Sequence, residues 1–345
     1  MTVVQPVPIG IDVGRALTKV SFDGATLVFP TVLMEVSPEE GDSYAESSAT
    51  DGRWWVWGEN FYRQFTSSYA LPQHKFLPEA VPAMALLGSL ASIKQAQLTQ
   101  PPPLHLVLGL STNFIRHARR KKHLQDFLQG RHMLVPRPGD DNIEITVARV
   151  SFLPQGMGIY AKRVLTAEGE IVVPDTPGKN WGVVDVGAEH TRFLYISEGR
   201  INRGFSETVE NLGIRPLLRR KKLELEESFG EEISLQYLER CLLDGRGVLW
   251  VSGTTISLDQ QIQSFLFTLR ESILNKLFEL WGAVQPEVVV LGGGGAVFLE
   301  KNLSGWGWAL ITDTGLASNA EGFRRWGKFL AAEDRPAKQE LKKNA

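Results

Sequence analysis

The residues best suited to chemistry are Asp12 and Lys19 in the run Ile9-Gly10-Ile11-Asp12-Val13-Gly14-Arg15-Ala16-Leu17-Thr18-Lys19-Val20. The run recurs in weaker form as Gly182-Val183-Val184-Asp185-Val186-Gly187-Ala188-Glu189-His190-Thr191-Arg192-Phe193. In each copy a β-branched apolar strand ends at an Asp, and the following Gly permits a tight turn into the next strand. The expected element is a β-hairpin, not a strand-to-helix loop. Backbone N–H groups at such a turn can face phosphate oxygens, the Asp can hold the hydration shell of a magnesium ion, and Lys19 adds a point charge for a phosphate. One Asp-x-Gly between apolar runs is an ordinary hairpin turn. Two copies, one opening each half of the chain, imply a two-part phosphate clamp.

A third element is the strand Val288-Val289-Val290-Leu291 emptying into Gly292-Gly293-Gly294-Gly295-Ala296, as needed where backbone approaches a ligand closely. Read alone, the tetraglycine is equally a flexible loop. In the order hairpin, hairpin, glycine loop, the chain resembles the actin, sugar kinase and heat-shock chaperone superfamily, and within it the ParM or StbA group of bacterial and archaeal actin homologues. That resemblance implies an α/β fold of the actin-like two-domain kind, built from duplicated ribonuclease H-like domains with a nucleotide cleft between them. Domain I is expected over residues 1–160, with an inserted subdomain at about 30–80, completed by 325–345. Domain II is expected over 161–324, with an insertion at about 205–255.

The resemblance also distributes roles. Asp12 and Asp185 would hold Mg2+ through water, and Gly14, Arg15, Ala16, Leu17, Thr18 and Lys19 would cradle phosphates with Gly187, Ala188 and Glu189. Gln155, in Leu153-Pro154-Gln155-Gly156, matches the segment where superfamily members carry the Gln or Glu that positions an attacking water. Actin carries Gln there, so the water is oriented more than deprotonated. Lys222 and Glu226 are candidate ribose and adenine contacts, and Gly292, Gly293, Gly294 and Gly295 take the adenosine side. Two departures stand out: the second hairpin lacks a Lys, and the segment around Gly213 is not the Gly-Gly pair of many relatives.

The elements that must position these residues follow from periodicity and breakers. Hairpin strands are expected from about Val7 to Val28. Trp54-Trp55-Val56-Trp57-Gly58 alternates as a strand whose rings bury in the small inserted subdomain. Pro78 to Thr99 reads as a helix stopped by Pro101-Pro102-Pro103, and Leu104 to Leu110 as the next buried strand. After a turn-rich break at Val135 to Asp141, Ile143 to Phe152 forms a strand, and Gly156 to Lys162 opens the helix joining the halves. Pro174 to Lys179 marks the linker. Leu217 to Ser228 is a helix with a charged face, and Asp259 to Trp281 a long amphipathic helix whose apolar residues are core. Ser318-Asn319-Ala320-Glu321-Gly322-Phe323 resembles the segment near the end of ParM-group proteins that returns the chain to the first domain. Ala331 to Ala345 is charged and expected to fray.

Composition narrows the function classes. A chain of 345 residues with 43% hydrophobic and 22% charged residues has room for about two domains. The net charge of -2 gives no whole-molecule field toward nucleic acid or anionic membrane, so DNA contact is expected to be indirect. The single Cys241 excludes an internal disulfide and a multi-cysteine metal site. With no leader pattern at the N-terminus and no uncharged run near membrane-span length, a cytoplasmic location is expected. The leading function is a filament-forming ATPase of the plasmid-segregation kind, using ATP or GTP with Mg2+. Its partners would be other copies of itself and an adaptor that binds centromere-like DNA. The alternatives are a small-molecule kinase or phosphatase-like enzyme on the same fold, which would need a carboxylate base beside an acceptor hydroxyl, and a scaffold that binds nucleotide without turnover.

Overall fold

The computed structural model describes residues 5–37, 48–50, 53–57, 80–137, 140–172, 178–243, 247–299 and 310–334. The chain divides into two compact units: Met1–Thr176 with Leu316–Ala345, and Pro177–Gly315.

The first unit opens with β1 (Val7–Val13), β2 (Leu17–Phe22), β3 (Ala25–Pro30), β4 (Leu33–Val36), β5 (Ser48–Thr50) and β6 (Arg53–Trp57). It continues through α1 (Ala80–Gln95), β7 (Leu104–Leu110), α2 (Thr112–Arg116), α3 (Ala118–Leu128), β8 (Gly130–Val135), β9 (Ile143–Pro154) and α4 (Met157–Val164). Its sheet has the order β3-β2-β1-β7-β9-β8-β5-β6-β4. β7 pairs parallel with both β1 and β9. A central parallel strand is covered on both faces, so it reads as an unbroken apolar run; all seven residues of β7 are buried. On one face α1 packs Met84, Leu86, Leu90 and Ile93 into the core.

The described strands of the expected inserted subdomain do not stand apart. They extend the main sheet, because β5 pairs with β8 (Ala49↔Val135, Thr50↔Leu134) and carries β6 and β4 outward. Trp57 meets Phe29 edge to face with centroids 4.9 Å apart, and the Trp55 indole N–H donates to Thr50 Oγ1 at 3.1 Å. Residues 58–79 of that region lie outside the described residues.

The second unit repeats the plan. It contains β10 (Trp181–Val186), β11 (His190–Ser197), β12 (Arg200–Glu210), α5 (Ile214–Phe229), α6 (Leu235–Leu243), the hairpin β13 (Val248–Val251) and β14 (Thr254–Ser257), α7 (Leu258–Trp281), β15 (Val288–Gly292), α8 (Ala296–Leu299) and β16 (Leu310–Thr312). Its sheet, β12-β11-β10-β15-β16, matches β3-β2-β1-β7-β9: an antiparallel three-strand meander, then parallel neighbours on the far side of the first strand. α7 buries Ile262, Leu266, Leu269, Ile273, Leu277 and Trp281, a 3.6-residue stripe in which each large side chain is worth about 1.5–3 kcal/mol.

The chain then closes on the first unit with α9 (Ser318–Glu333). α9 lies against β1 and α4 at backbone contact. A Cβ on Gly10 would sit 1.9 Å from Ala320 O, and one on Gly322 would sit 1.7 Å from Gly158 O, so neither position admits a side chain. Because both α4 and the whole of α9 pack in this unit, its boundaries fall at 176 and 316 instead of the expected 160 and 325.

Candidate functional site

Asp12 sits at the end of β1, one residue from the turn that Gly14 N–H closes on Leu17 O at 3.1 Å. The antiparallel register puts Asp12 opposite Lys19. Their side chains form an ion pair at 3.1 Å and are only 7% and 11% exposed. Gln155 completes the group, its Nε2 donating to Asp12 Oδ1 at 3.1 Å. Three of the expected site residues therefore share one hydrogen-bonded cluster inside the first unit. Of the other residues in that turn, Thr18 is buried with its hydroxyl on Thr31 Oγ1, whereas Arg15 is exposed.

Gln155 is fixed through its neighbours. Its own N–H donates to Leu110 O at 2.9 Å at the end of β7. Gly156, at φ 91°, turns the chain into α4 and brings no side-chain cap of its own. Asn319 on α9 supplies the cap instead: its Oδ1 accepts from Gly156 N–H at 3.0 Å and from Ile159 N–H at 3.3 Å. The segment Ser318 to Phe323 thus locks the residue next to Gln155.

The second unit builds a parallel arrangement. Asp185 ends β10 opposite Arg192, whose Nη1 lies 3.4 Å from Asp185 Oδ2. The absence of a Lys here is made good by Arg192. Both cations stand seven residues after their Asp, and that common spacing was the available signal. Gly187 N–H closes the turn on His190 O at 2.8 Å. The glycine loop meets this hairpin: Gly292 is the register partner of Asp185, and Gly295 N–H donates to Val186 O at 2.8 Å. Gly293 has φ 89°, and a Cβ there would lie 2.3 Å from Asp185 Oδ1.

Other candidates are committed locally. Glu189 receives both Nη atoms of Arg219, at 2.6 and 3.0 Å. Lys222 and Glu226 pair with each other at 2.8 Å, and Glu226 also accepts Ile233 N–H at 2.7 Å. The hydrogen bond from Lys222, then that from Ile233, hold the Glu226 carboxyl below its usual range. Ala188 O accepts Arg215 N–H at 2.8 Å at the start of α5. Gly213 serves this contact, since a Cβ there would lie 2.4 Å from Ala188 O; the single glycine allows α5 to approach the hairpin.

Among the described residues no three His, Cys, Asp or Glu side chains gather as a metal site, and no helix is long and apolar enough to cross a membrane.

The two hairpins, with the same meander and the same Asp–cation register, define the class: a duplicated, two-domain actin-like fold. Residues 10–158 match the family model of the actin like proteins N terminal domain. A comparison with curated protein sequences finds no significant match. Among solved structures, the chain is similar to the actin-like protein Alp7A, with TM-score 0.72 and 14% identity over 97% of this chain and 99% of that one. It is similar to the archaeal actin homolog Ta0583 in complex with ADP, with TM-score 0.69 and 17% identity over 95% of this chain and 100% of that one. A ParM from Clostridium botulinum, solved as a 15-stranded filament, gives TM-score 0.68 and 19% identity over 94% of this chain and 99% of that one. The fold is that of the bacterial and archaeal actin homologues.

Proposed function

We propose that the chain is an actin-like ATPase that binds Mg-ATP between its two domains and polymerises into dynamic filaments for plasmid or other DNA segregation, with an adaptor protein linking it to DNA. The observation that carries this reading is the duplicated Asp–cation pair at hairpin ends, Asp12–Lys19 and Asp185–Arg192, with the Gln155 amide on Asp12. Filament and nucleotide enter through the likeness to a ParM solved as a filament and to an actin homolog solved with ADP.

The donor set fits a hydrated magnesium ion. Asp12 and Asp185 offer hard carboxylate oxygens, each with lone pairs beyond those its cation uses, and water-mediated binding needs only such acceptors. Bound magnesium would neutralise charge on the phosphates. Lys19 and Arg192 do the same as point charge and planar fork, and the turn N–H groups after Asp12 and Asp185 line the phosphate path. With Nε2 donating to Asp12, Gln155 keeps Oε1 to accept from a water and orient it toward the terminal phosphate.

The test pairs phosphate release with light scattering on one sample. Gln155→Ala should leave ATP affinity and assembly near wild type while phosphate release slows at least tenfold, about 1.4 kcal/mol of barrier. Filaments of the variant should outlive those of the wild type, because assembly follows nucleotide binding and disassembly follows phosphate loss. Wild-type protein that neither scatters light nor releases phosphate with Mg-ATP would refute the reading.

A further inference from the structure

Five of the seven residues from Arg116 to Lys122 are arginine or lysine, His117 and His123 adjoin them, and no Asp or Glu occurs between Glu79 and Asp126. The fold leaves most of this run exposed on the first unit. Arg116 ends α2, while Arg119, Arg120 and Lys122 are exposed on the first turns of α3, and Lys121 is half-buried. Leu124 and Leu128 hold α3 to the core. Lys122 pairs with Asp126. No carboxylate among the described residues forms an ion pair with Arg116, Arg119, Arg120 or Lys121.

The arrangement runs against the helix's own electrostatics. The first turn of α3 holds no acidic residue, although negative charge there is worth about 0.3–1 kcal/mol and positive charge opposes the helix dipole. Clustered like charges repel, and an external polyanion relieves that repulsion. A membrane surface fits poorly, since Phe127, at 49% exposure, is the one large apolar side chain that α3 leaves exposed. An acidic protein partner fits poorly for the same reason, because protein interfaces rest on several buried apolar anchors. Closely spaced arginines without such anchors fit a phosphodiester backbone, which they grip as charged forks.

We propose that α2 and α3 form a binding surface for the phosphate backbone of duplex DNA, independent of base sequence. This goes beyond adaptor-mediated attachment. The net charge of the whole chain conceals the surface, because acidic residues elsewhere cancel it.

The test is fluorescence anisotropy of a labelled 25-base-pair duplex with the full chain, without nucleotide, so that the outcome does not depend on filament formation. Four cations on phosphates give a slope of about -3.6 in log affinity against log salt, or roughly a 150-fold loss of affinity between 50 and 200 mM. Arg119→Gln/Arg120→Gln should halve the slope to about -1.8, roughly a twelvefold loss over the same range, with an unchanged melting temperature. Asp126→Asn, which removes the opposing carboxylate, should tighten binding a few-fold and so guards against a fold defect as the cause. Three results would each overturn the proposal. One is no wild-type binding at 50 mM salt, including the case where the double variant loses only nucleotide-dependent assembly and the surface is a contact between copies. Another is a salt slope unchanged in the double variant. The third is DNA binding that survives in the double variant while binding to phosphatidylserine vesicles is lost.

Discussion

Breaking the Asp12–Lys19 pair from one side should destabilise the first hairpin more than removing it whole. At 3.1 Å, with the side chains 7% and 11% exposed, two unit charges attract by about 5 kcal/mol at an effective dielectric constant near 20. Desolvating each ion takes back several kcal/mol, so the pair's net contribution is small. Removing one partner leaves the other charge buried and uncompensated. Among the described residues, Lys19→Met leaves Asp12 with only the Gln155 amide, and Asp12→Asn leaves an ammonium without an anion. Each single variant is expected to lose about 3 kcal/mol or more, and Asp12→Asn/Lys19→Met less than either, a coupling of more than about 3 kcal/mol. Hydrogen exchange read by mass spectrometry on peptides within residues 7–22 measures this as local opening, which avoids treating a two-unit chain as two-state. Additive single effects, or single effects below about 1 kcal/mol, would refute the reasoning. They would mean that water screens both charges. The result also sets how turnover is read: Asp12→Ala should lower turnover at least tenfold, about 1.4 kcal/mol of barrier, and that loss reports on chemistry only in a sample whose first hairpin stays protected.

Two further predictions concern the frame around the site. Asn319→Ala removes the acceptor for two backbone N–H groups at the start of α4 and should cost about 2–4 kcal/mol, whereas Asn319→Asp keeps the acceptor and should melt close to wild type; equal melting of the Ala variant would show that another group caps α4. His105, buried on β7 with Nε2 2.8 Å from Ser151 Oγ, is held at about 4, first by burial and then by the Arg149 guanidinium, against the opposing pull of Asp334. A histidine whose folded value is lowered binds fewer protons folded than unfolded between about pH 6.5 and 4, so stability is full above that window and falls by up to about 3 kcal/mol as pH drops through it. His105→Gln should flatten this part of a pH–stability curve, and parallel curves for variant and wild type would remove His105 as the cause.

Both hairpins were legible because each is a β-branched run ended by Asp-x-Gly, a local signal. The strand Leu104–Leu110 and the helix ending at Trp281 were legible for the same reason, through apolar periodicity and flanking breakers. What escaped was set by pairing between distant segments. The strands at Leu33–Val36 and Arg53–Trp57 belong to the main sheet only through β5 meeting β8, and Asn319 caps a helix whose N-cap, Gly156, lies 163 residues earlier. Residues 112–135, with two helices and a strand, carried too much charge and too little apolar periodicity to be assigned. Residue type alone hides the role of Arg192, because cross-strand register is what matters. A tight turn after Asp puts the residue seven positions on directly opposite, and any cation there will pair with it.

That register also divides the chemistry proposed for the two units. Each brings one carboxylate and one cation, but Gln155 joins only the first pair, and the second instead has Gly293 pressed against its Asp. Arg192 presents a rigid planar fork and Lys19 a compact ammonium, each paired with its own Asp. On the proposed reading, the first unit therefore handles the water and the second holds phosphate charge. Substitutions at Arg192 should then weaken nucleotide affinity, while those at Gln155 should change the rate of hydrolysis.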